Sequence, residues 1–209
     1  MNNRQRAFLV IAIFISVSLA GCMGKIKYPT YYTLSLPLAV DPPRKSGTHA
    51  SIAVREFQSP AYLREGPIVY LASPEEIGFY EYHRWAVDPR QAITHAIVER
   101  LRASGNFALV KPYDGRNDVD YLLTGRLEKL DEVDYESGVR VEVALSAQVI
   151  DLHSGKTVWT NSATDKAKVE ERRISAVVSQ MSNLTDRSIE ELLKSLALSS
   201  TKANNERAH

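Results

Sequence analysis

The sequence predicts an α+β fold, with a mainly antiparallel sheet and two amphipathic helices packed on one face of a single domain. Three observations lead to this prediction. Apolar and polar residues alternate over residues 139–149, which is typical of a long strand with one buried face. Shorter β-branched and aromatic runs precede and follow it. Two further segments carry apolar residues at helical spacing.

The strands are predicted from β-branched and aromatic runs that lie between turn-forming residues, and the last three form an antiparallel meander. Residues 120–135 are expected to pair with residues 139–149 through the turn Glu-Ser-Gly, and residues 155–164 to pair on the other side through Asp-Leu-His-Ser-Gly. The full set of predicted strands is 31–36, 51–57, 68–73, 76–87, 107–110, 120–135, 139–149 and 155–164.

Two helices are predicted. The first begins after Asp88, which can cap it, has Pro89 in its first turn, and ends at Gly105. Its expected core residues recur every four positions: Ile93, Ile97 and Leu101. The second spans residues 172–197, and its apolar residues lie near helical spacing: Ile174, Val178, Met181, Leu192 and Leu196. The polar residues 199–209 are expected to be a disordered tail.

The N-terminus has the parts of a secretory signal peptide. Arg4 and Arg6 precede a run of 13 almost entirely apolar residues at positions 7–19, and small residues follow. The run is shorter than the roughly 20 residues that a transmembrane helix needs, which disfavours a permanent spanning anchor. It also lacks a polar face, which disfavours an N-terminal core helix. Residues 1–21 are therefore predicted to be a cleaved signal peptide.

Cys22 is the only cysteine of the chain, and it directly follows this segment. The sequence LAGC at residues 19–22 resembles the bacterial lipobox at all four positions. The resemblance implies that the Cys22 sulfur takes a diacylglycerol, that the preceding peptide bond is cut, and that the new amine is acylated. Two or more acyl chains give stable membrane anchoring. Met23 follows Cys22, and the absence of Asp, the usual inner-membrane retention signal of enterobacterial lipoproteins, favours the outer membrane.

The net charge and the length of the chain limit the possible partners and the domain organisation. Loss of residues 1–21 removes two arginines and no acid, so the formal net charge changes from +1 to −1. Without a basic excess to attract phosphates, nucleic acid is not expected as a partner. The mature chain is predicted to have a lipidated tether at 22–30, one domain at 31–198 and a polar tail at 199–209. Its single cysteine leaves no internal disulfide.

Motifs for catalysis and metal binding are weak or absent. The segment HSGKT at residues 153–157 ends like a phosphate-binding loop, but the first glycine and the following helix are missing, which favours a hairpin turn with Gly155 at its tip. His95 and Glu99 could share a metal, but no third ligand is evident, so a surface pair is favoured. There is no G-x-S-x-G motif and no free thiol. We therefore expect no catalytic residue, no metal ligand, no cofactor beyond the covalent lipid, and no enzyme activity.

The segment FYEYHRWAVDP, residues 79–89, is unusually aromatic. Aromatic residues and Arg are the residue types enriched at binding hot spots. Strand alternation predicts two faces, one with Tyr80, Tyr82 and Arg84 and the other with Phe79, His83 and Trp85. One face is expected in the core and the other at a partner surface. The alternative is that both faces are simply packed under the first helix.

The order of these features resembles that of the ABC-type transport auxiliary lipoproteins, the family that includes the paraquat-inducible protein C type. The matching pieces are the lipobox, YYTLSLP, the segment IAVREFQSPAYLREGPIVYLASPEEIGFYEYHRWAVDP and the amphipathic helix after it. The approximate motifs of the family fall at Pro60, Tyr62-Leu63, Ile68-Val69-Tyr70, Phe79-Tyr80 and Arg84-Trp85-Ala86. Leu71 stands where the family has Arg, and Val87-Asp88 where Glu-Pro is common.

This resemblance implies a non-catalytic accessory of transporters that carry lipids or other hydrophobic solutes across the envelope. The implied partner is an MCE-type periplasmic protein, which works with an ATPase and a permease. The implied mechanism is docking, in which the acyl chains hold the domain on the periplasmic side of the outer membrane and the domain holds the transporter there. The residues expected to bind the partner are Tyr62, Tyr80, Tyr82, Arg84 and Trp85.

Two other functions remain open from the sequence. One is a structural or assembly lipoprotein for an outer-membrane protein or a secretion complex. The other is an envelope hydrolase, which would need a cleft with a perturbed titratable pair. The oligomeric state is also open, with a homo-oligomer among the alternatives.

Overall fold

A computed structural model describes residues 27–37, 50–135 and 138–207, which form one mixed sheet of eight strands and two long helices. The predicted α+β class is thereby confirmed. The strands are β1 (Thr30–Tyr32), β2 (Ser51–Val54), β3 (Pro67–Ser73), β4 (Glu76–Trp85), β5 (Leu109–Pro112), β6 (Tyr121–Val133), β7 (Arg140–Asp151) and β8 (Thr157–Lys168). The helices are α1 (Pro89–Ser104) and α2 (Ile174–Arg207), and a short 3-10 helix spans Ala61–Arg64.

The meander of β6, β7 and β8 forms in the predicted order and direction. Alternate side chains of β7 are fully buried in the core that the helices cover, among them Val141, Val143 and Leu145. A shift of register by one residue would turn this whole apolar set towards solvent, which is why the period-two pattern specifies the pairing. The segment around Gly155 is a hairpin turn between β7 and β8, as predicted.

The opposite edge of β6 carries two short partners, one after the other. β2 pairs in parallel with residues 121–123, and β3 pairs in parallel with Glu132 and Val133. β5 extends the β2 side, and β4 followed by β1 extends the β3 side. The sheet is therefore mixed rather than mainly antiparallel, and it splits into two wings at β6.

Phe57 fills the space where these two wings separate. Its ring is completely buried and lies directly on Gly125 of β6, where an added Cβ would be 2.2 Å from the ring atom Cζ. The Phe57 amide donates a hydrogen bond to Thr94 Oγ1 of α1 at 3.0 Å, and the Gln58 amide donates to the Gly125 carbonyl at 2.9 Å. The ring is thus held between the helix and the sheet.

Both helices begin or end where local sequence signals indicate. The Asp88 carboxylate accepts a hydrogen bond from the Arg90 amide at the start of α1, and Gly105 ends it in the left-handed conformation with φ of 66°. Helix α2 begins at Ile174 but continues to Arg207, into the segment expected to be a disordered tail. No glycine or proline lies within this span, so nothing in the local sequence ends the helix at residue 197.

Polar contacts join the two helices and the first strand. The Arg100 guanidinium of α1 forms an ion pair with Asp186 of α2 and donates to the Pro37 carbonyl at 2.9 Å. The Ser35 amide donates to Ser182 Oγ of α2 at 3.0 Å. These contacts fix the chain that follows β1 onto the helical layer.

Candidate functional site

An irregularity in β4 determines how the aromatic segment is displayed. Phe79 is in register with Val69 of β3, whereas Arg84 is in register with Pro67, so five steps along β4 correspond to two along β3. Such a bulge changes which face each following side chain occupies. The predicted faces, which grouped Tyr80, Tyr82 and Arg84, are therefore wrong for this segment.

Arg84 and Phe79 instead line the same shallow cleft, together with Tyr62 of the 3-10 helix. The cleft has a volume of about 540 Å³, and its remaining lining residues are Glu65 and Pro67. Arg84 Nη2 donates a hydrogen bond to the Glu65 carbonyl at 3.2 Å, and the Phe79 side chain is 43% exposed. An accessible aromatic ring beside a guanidinium is an arrangement that protein interfaces favour.

Gly66 allows the cleft to form at its base. It has a φ of 94°, which residues with a Cβ rarely adopt. Its carbonyl accepts a hydrogen bond from the Trp85 amide at 2.8 Å. An added Cβ at Gly66 would lie 3.2 Å from Arg84 Nη2. The turn therefore brings the 3-10 helix close to β4 and leaves room for the guanidinium.

Tyr80 and Trp85 lie on the core side of the same strand. The Trp85 side chain is 8% exposed, and the Tyr80 hydroxyl donates to Glu132 Oε2 at 3.0 Å. The Tyr80 ring also contacts the rings of Tyr70 and His83, with centroid distances of 5.0 and 5.7 Å. For these two residues the structure corresponds to the alternative of packing inside the fold.

Burial perturbs the ionisation of the Tyr80–Glu132 pair. Burial raises the pKa of the Tyr80 hydroxyl, and the adjacent Glu132 carboxylate raises it further. The pKa of Glu132 is also raised, chiefly because its carboxyl group is buried, although the Tyr80 hydrogen bond opposes the shift. The pair closes the core beneath β4 and does not reach the cleft.

Tyr82 contacts the start of the described chain rather than the cleft. The Lys27 ammonium lies over the Tyr82 ring, with Nζ at 4.2 Å from the ring centroid. This cation–π contact fixes the place where the N-terminal segment reaches the fold. Cys22 itself lies outside the described residues.

Tyr62 connects the cleft to a buried carboxylate. Its hydroxyl donates to Asp131 Oδ2 at 3.5 Å, and burial together with Asp131 raises the pKa of Tyr62 to about 12. Asp131 is 2% exposed, and burial raises its pKa to about 6. Within the described part of the chain, Asp131 Oδ1 has no hydrogen-bond partner.

The charged groups near Asp131, which are Glu142 and two lysines, form ion pairs with one another. Glu142 Oε1 forms ion pairs with Lys129 Nζ at 2.9 Å and with Lys166 Nζ at 3.1 Å. Lys129 favours the ionised form of Asp131, whereas Glu142 disfavours it. No sequence motif marks Asp131, and its contact with the Tyr62 hydroxyl joins residues 69 positions apart in the chain.

A serine, an aspartate and a histidine also meet at the start of β2. Ser51 Oγ donates to Asp120 Oδ2 at 2.7 Å, and His153 Nε2 lies 3.0 Å from Asp120 Oδ1. The hydrogen bonds from His153 and Ser51 lower the pKa of Asp120 to about 2. Because the serine contacts this weakly basic carboxylate and not the imidazole, the arrangement does not activate a nucleophile. It ties β2, β6 and the β7–β8 turn together.

Metal clusters and membrane-spanning helices are both missing from the described part of the chain. Over residues 27–37, 50–135 and 138–207, no group of three or more His, Cys, Asp or Glu side chains could hold a metal ion. Glu99 forms its ion pair with Arg102, with Nη1 at 2.6 Å from Oε1, so the predicted pairing with His95 is replaced by a shorter-range partner. Among the same described residues, no helix combines the length and apolarity needed to cross a bilayer.

Comparison with known proteins gives a family match. Residues 32–192 match the sequence model of the family described as ABC-type transport auxiliary lipoprotein component. A search of curated proteins found no similar sequence.

Solved structures share the fold at low sequence identity. A crystal structure of a DUF330 protein from Xanthomonas campestris has a TM-score of 0.70 and 16% identity, over 85% of this chain and 99% of that one. The crystal structure of a second protein, described as uncharacterized, has a TM-score of 0.63 and 14% identity, over 81% and 99% of the two chains. At these identities the likeness concerns the fold alone.

Proposed function

The chain belongs to the family of ABC-type transport auxiliary lipoprotein components, and from this membership we propose that it docks the periplasmic part of such a transporter at the outer membrane. The proposed partner is an MCE-type periplasmic protein of a system that moves lipids or other hydrophobic solutes. The proposed role is non-catalytic and needs no cofactor or metal. ATP hydrolysis would take place in the partner ATPase.

The proposed anchor is Cys22, acylated after removal of residues 1–21. The lipobox at residues 19–22 and the absence of Asp after Cys22 support this assignment and the outer membrane as its location. Each buried CH₂ of an acyl chain contributes about 0.8 kcal/mol, so two or three chains are enough for a stable attachment. The domain then faces the periplasm, where the partner is.

The cleft of Tyr62, Phe79 and Arg84 is the single observation that carries the docking proposal. It offers an exposed ring, a half-buried phenol and a guanidinium on one side of a wing whose other side is packed into the core. These residue types supply most of the binding energy at protein interfaces. The proposed contact surface therefore retains Tyr62 and Arg84 from the sequence prediction and adds Phe79. It leaves out Tyr80, Tyr82 and the buried Trp85, which do not line the cleft.

The first experiment is a pull-down of the acylated protein from cross-linked, detergent-solubilised envelopes, with the recovered proteins identified by mass spectrometry. Recovery of an MCE-type periplasmic protein supports the proposal. Recovery of an outer-membrane barrel or a secretion component instead would contradict it and favour the assembly function. In the same preparation, a Cys22→Ala variant should lack the mass of the acyl chains.

We expect Phe79→Ser and Arg84→Ala each to lower recovery of the partner at least about tenfold, which corresponds to ~1.4 kcal/mol of binding free energy. The matched controls are Leu109→Ser and Arg126→Ala, which change an exposed apolar residue and an exposed arginine on other strands. Circular dichroism and urea unfolding of all four variants establish that the fold is retained. Equal recovery with the cleft variants and the control variants would show that this cleft is not the docking surface.

A further inference from the structure

Exposed apolar side chains lie on β1, on β4 and in the residues next to them. Tyr28 is 77% exposed and Tyr31 is 59% exposed, and Ile77, Phe79 and Val87 are also accessible. Phe79 belongs to the cleft described above, but neither Tyr28 nor Tyr31 lines it. Tyr28 and Tyr31 are the two most exposed of these side chains.

The path of the chain places these two tyrosines next to the proposed anchor. Tyr28 lies six positions after Cys22, and Tyr31 lies nine positions after it. A fully extended chain spans at most ~3.5 Å per residue, so the Cα atoms of the two tyrosines lie within about 21 and about 32 Å of the Cα atom of Cys22. The Lys27–Tyr82 contact places residue 27 of the tether beside β4.

The chemistry of the segment suits the surface of a phospholipid bilayer. Tyrosine is enriched at membrane interfaces because its ring is apolar and its hydroxyl can remain hydrated. Residues 22–40 contain Lys25 and Lys27 and no acidic residue. A lysine near an anionic bilayer surface contributes about 1 kcal/mol of attraction. The charge of the tether is therefore complementary to that of anionic phospholipids.

We propose that Tyr28 and Tyr31 rest in the headgroup region of the bilayer that holds acylated Cys22. The wing of β1 and β4 is then a second membrane contact, and the domain has a defined orientation on the membrane. This inference rests on the proposed acylation of Cys22 and is independent of which transporter the cleft binds. Because Tyr31 is in register with Arg84, the cleft adjoins the membrane surface.

The test uses the acylated full-length protein in vesicles of phosphatidylethanolamine and phosphatidylglycerol that contain a headgroup-region doxyl quencher. Because Cys22 carries lipid, a single introduced cysteine can be labelled with an environment-sensitive fluorophore. Thr30→Cys reports on the proposed contact and leaves both tyrosines in place. Thr157→Cys is the matched control, since Thr157 is an exposed threonine on β8, the edge strand that belongs to neither wing.

We expect strong quenching of the label at position 30 and little at position 157. Changing Tyr28 and Tyr31 together to Ser should reduce quenching at position 30 severalfold, whereas Tyr135→Ser, which changes another exposed tyrosine, should leave it unchanged. Equal quenching at positions 30 and 157, or quenching at position 30 that persists without the two tyrosines, would overturn the contact. A mass spectrum without acyl chains would also overturn the proposed acylation of Cys22. The pull-down described under the proposed function tests only the identity of the transporter partner.

Discussion

Gly125→Ala is expected to lower the free energy of unfolding by about 3 kcal/mol, at the upper end of the range for an overpacked core. The new Cβ would lie 2.2 to 2.7 Å from three atoms of the Phe57 ring. The ring has nowhere to move, because it is completely buried and its own amide is bonded to Thr94 on α1. Either the ring leaves its rotamer or the two wings of the sheet separate.

Urea unfolding of the domain without residues 1–22 measures the decrease in the free energy of unfolding that Gly125→Ala causes. Gly78→Ala is the informative comparison, since its Cβ would also lie 2.2 Å from a ring atom, that of Tyr70, but Tyr70 is only half-buried and can rotate outwards. We therefore expect a smaller effect at Gly78. In the double variant Phe57→Leu/Gly125→Ala, the two losses should be less than additive. Additive losses would mean that the Phe57–Gly125 contact does not limit packing at this point.

Asp131→Asn is expected to stabilise the protein at pH 8 by about 2–3 kcal/mol, because it removes a buried charge without changing the shape of the side chain. The carboxyl has its ordinary pKa of 3.8 in the unfolded chain and a pKa of about 6 in the fold. Between these two values the folded state binds more protons than the unfolded state, so stability falls as the pH rises. Above about pH 6 the full cost of the ionised carboxylate is present.

Unfolding at pH 4 and at pH 8 separates this charge effect from a loss of packing. The stabilisation by Asp131→Asn should be largest at pH 8 and nearly absent at pH 4, where the wild-type carboxyl is protonated in the fold and about half protonated in the unfolded chain. Glu132, whose pKa is raised in the same direction, should leave some pH dependence in the variant. If Asp131→Asn destabilised the protein equally at both pH values, the Tyr62 hydrogen bond would outweigh the cost of burial.

The long elements of the fold could be predicted from the sequence because each is long enough to repeat its pattern several times. In a strand the pattern is the alternation of apolar and polar residues, and in a helix it is the helical spacing of apolar residues. The meander of β6, β7 and β8 rests on eleven alternating residues, 139–149, in and beside β7, and α1 has a cap at each end. The parallel pairing of β2 and β3 with β6 could not be predicted from the sequence. These strands pair with β6 through two or three residues, too few for a periodic pattern to indicate direction.

The candidate site was only partly predictable for a related reason. Alternation along β4 assumes a regular strand, and the bulge between Phe79 and Arg84 breaks that assumption. Residue type and the family resemblance predict Tyr62 and Arg84, whereas regular strand alternation places Phe79 on the other face. Asp131 has no local signal at all, because the hydroxyl that contacts its carboxylate comes from a 3-10 helix about seventy residues earlier in the chain.

The parallel pairing of β1 with β4 has a mechanical consequence if the protein is anchored through Cys22, as proposed above. Traction on the tether along the strand axis loads the backbone contacts of Thr30, Tyr31 and Tyr32 in shear, so that they share the load rather than opening one after another. The chain beyond β1 is braced by Ser35 and Pro37 against the helices. Under the proposed docking, a pull on the cleft would be shared among the three paired residues of β1.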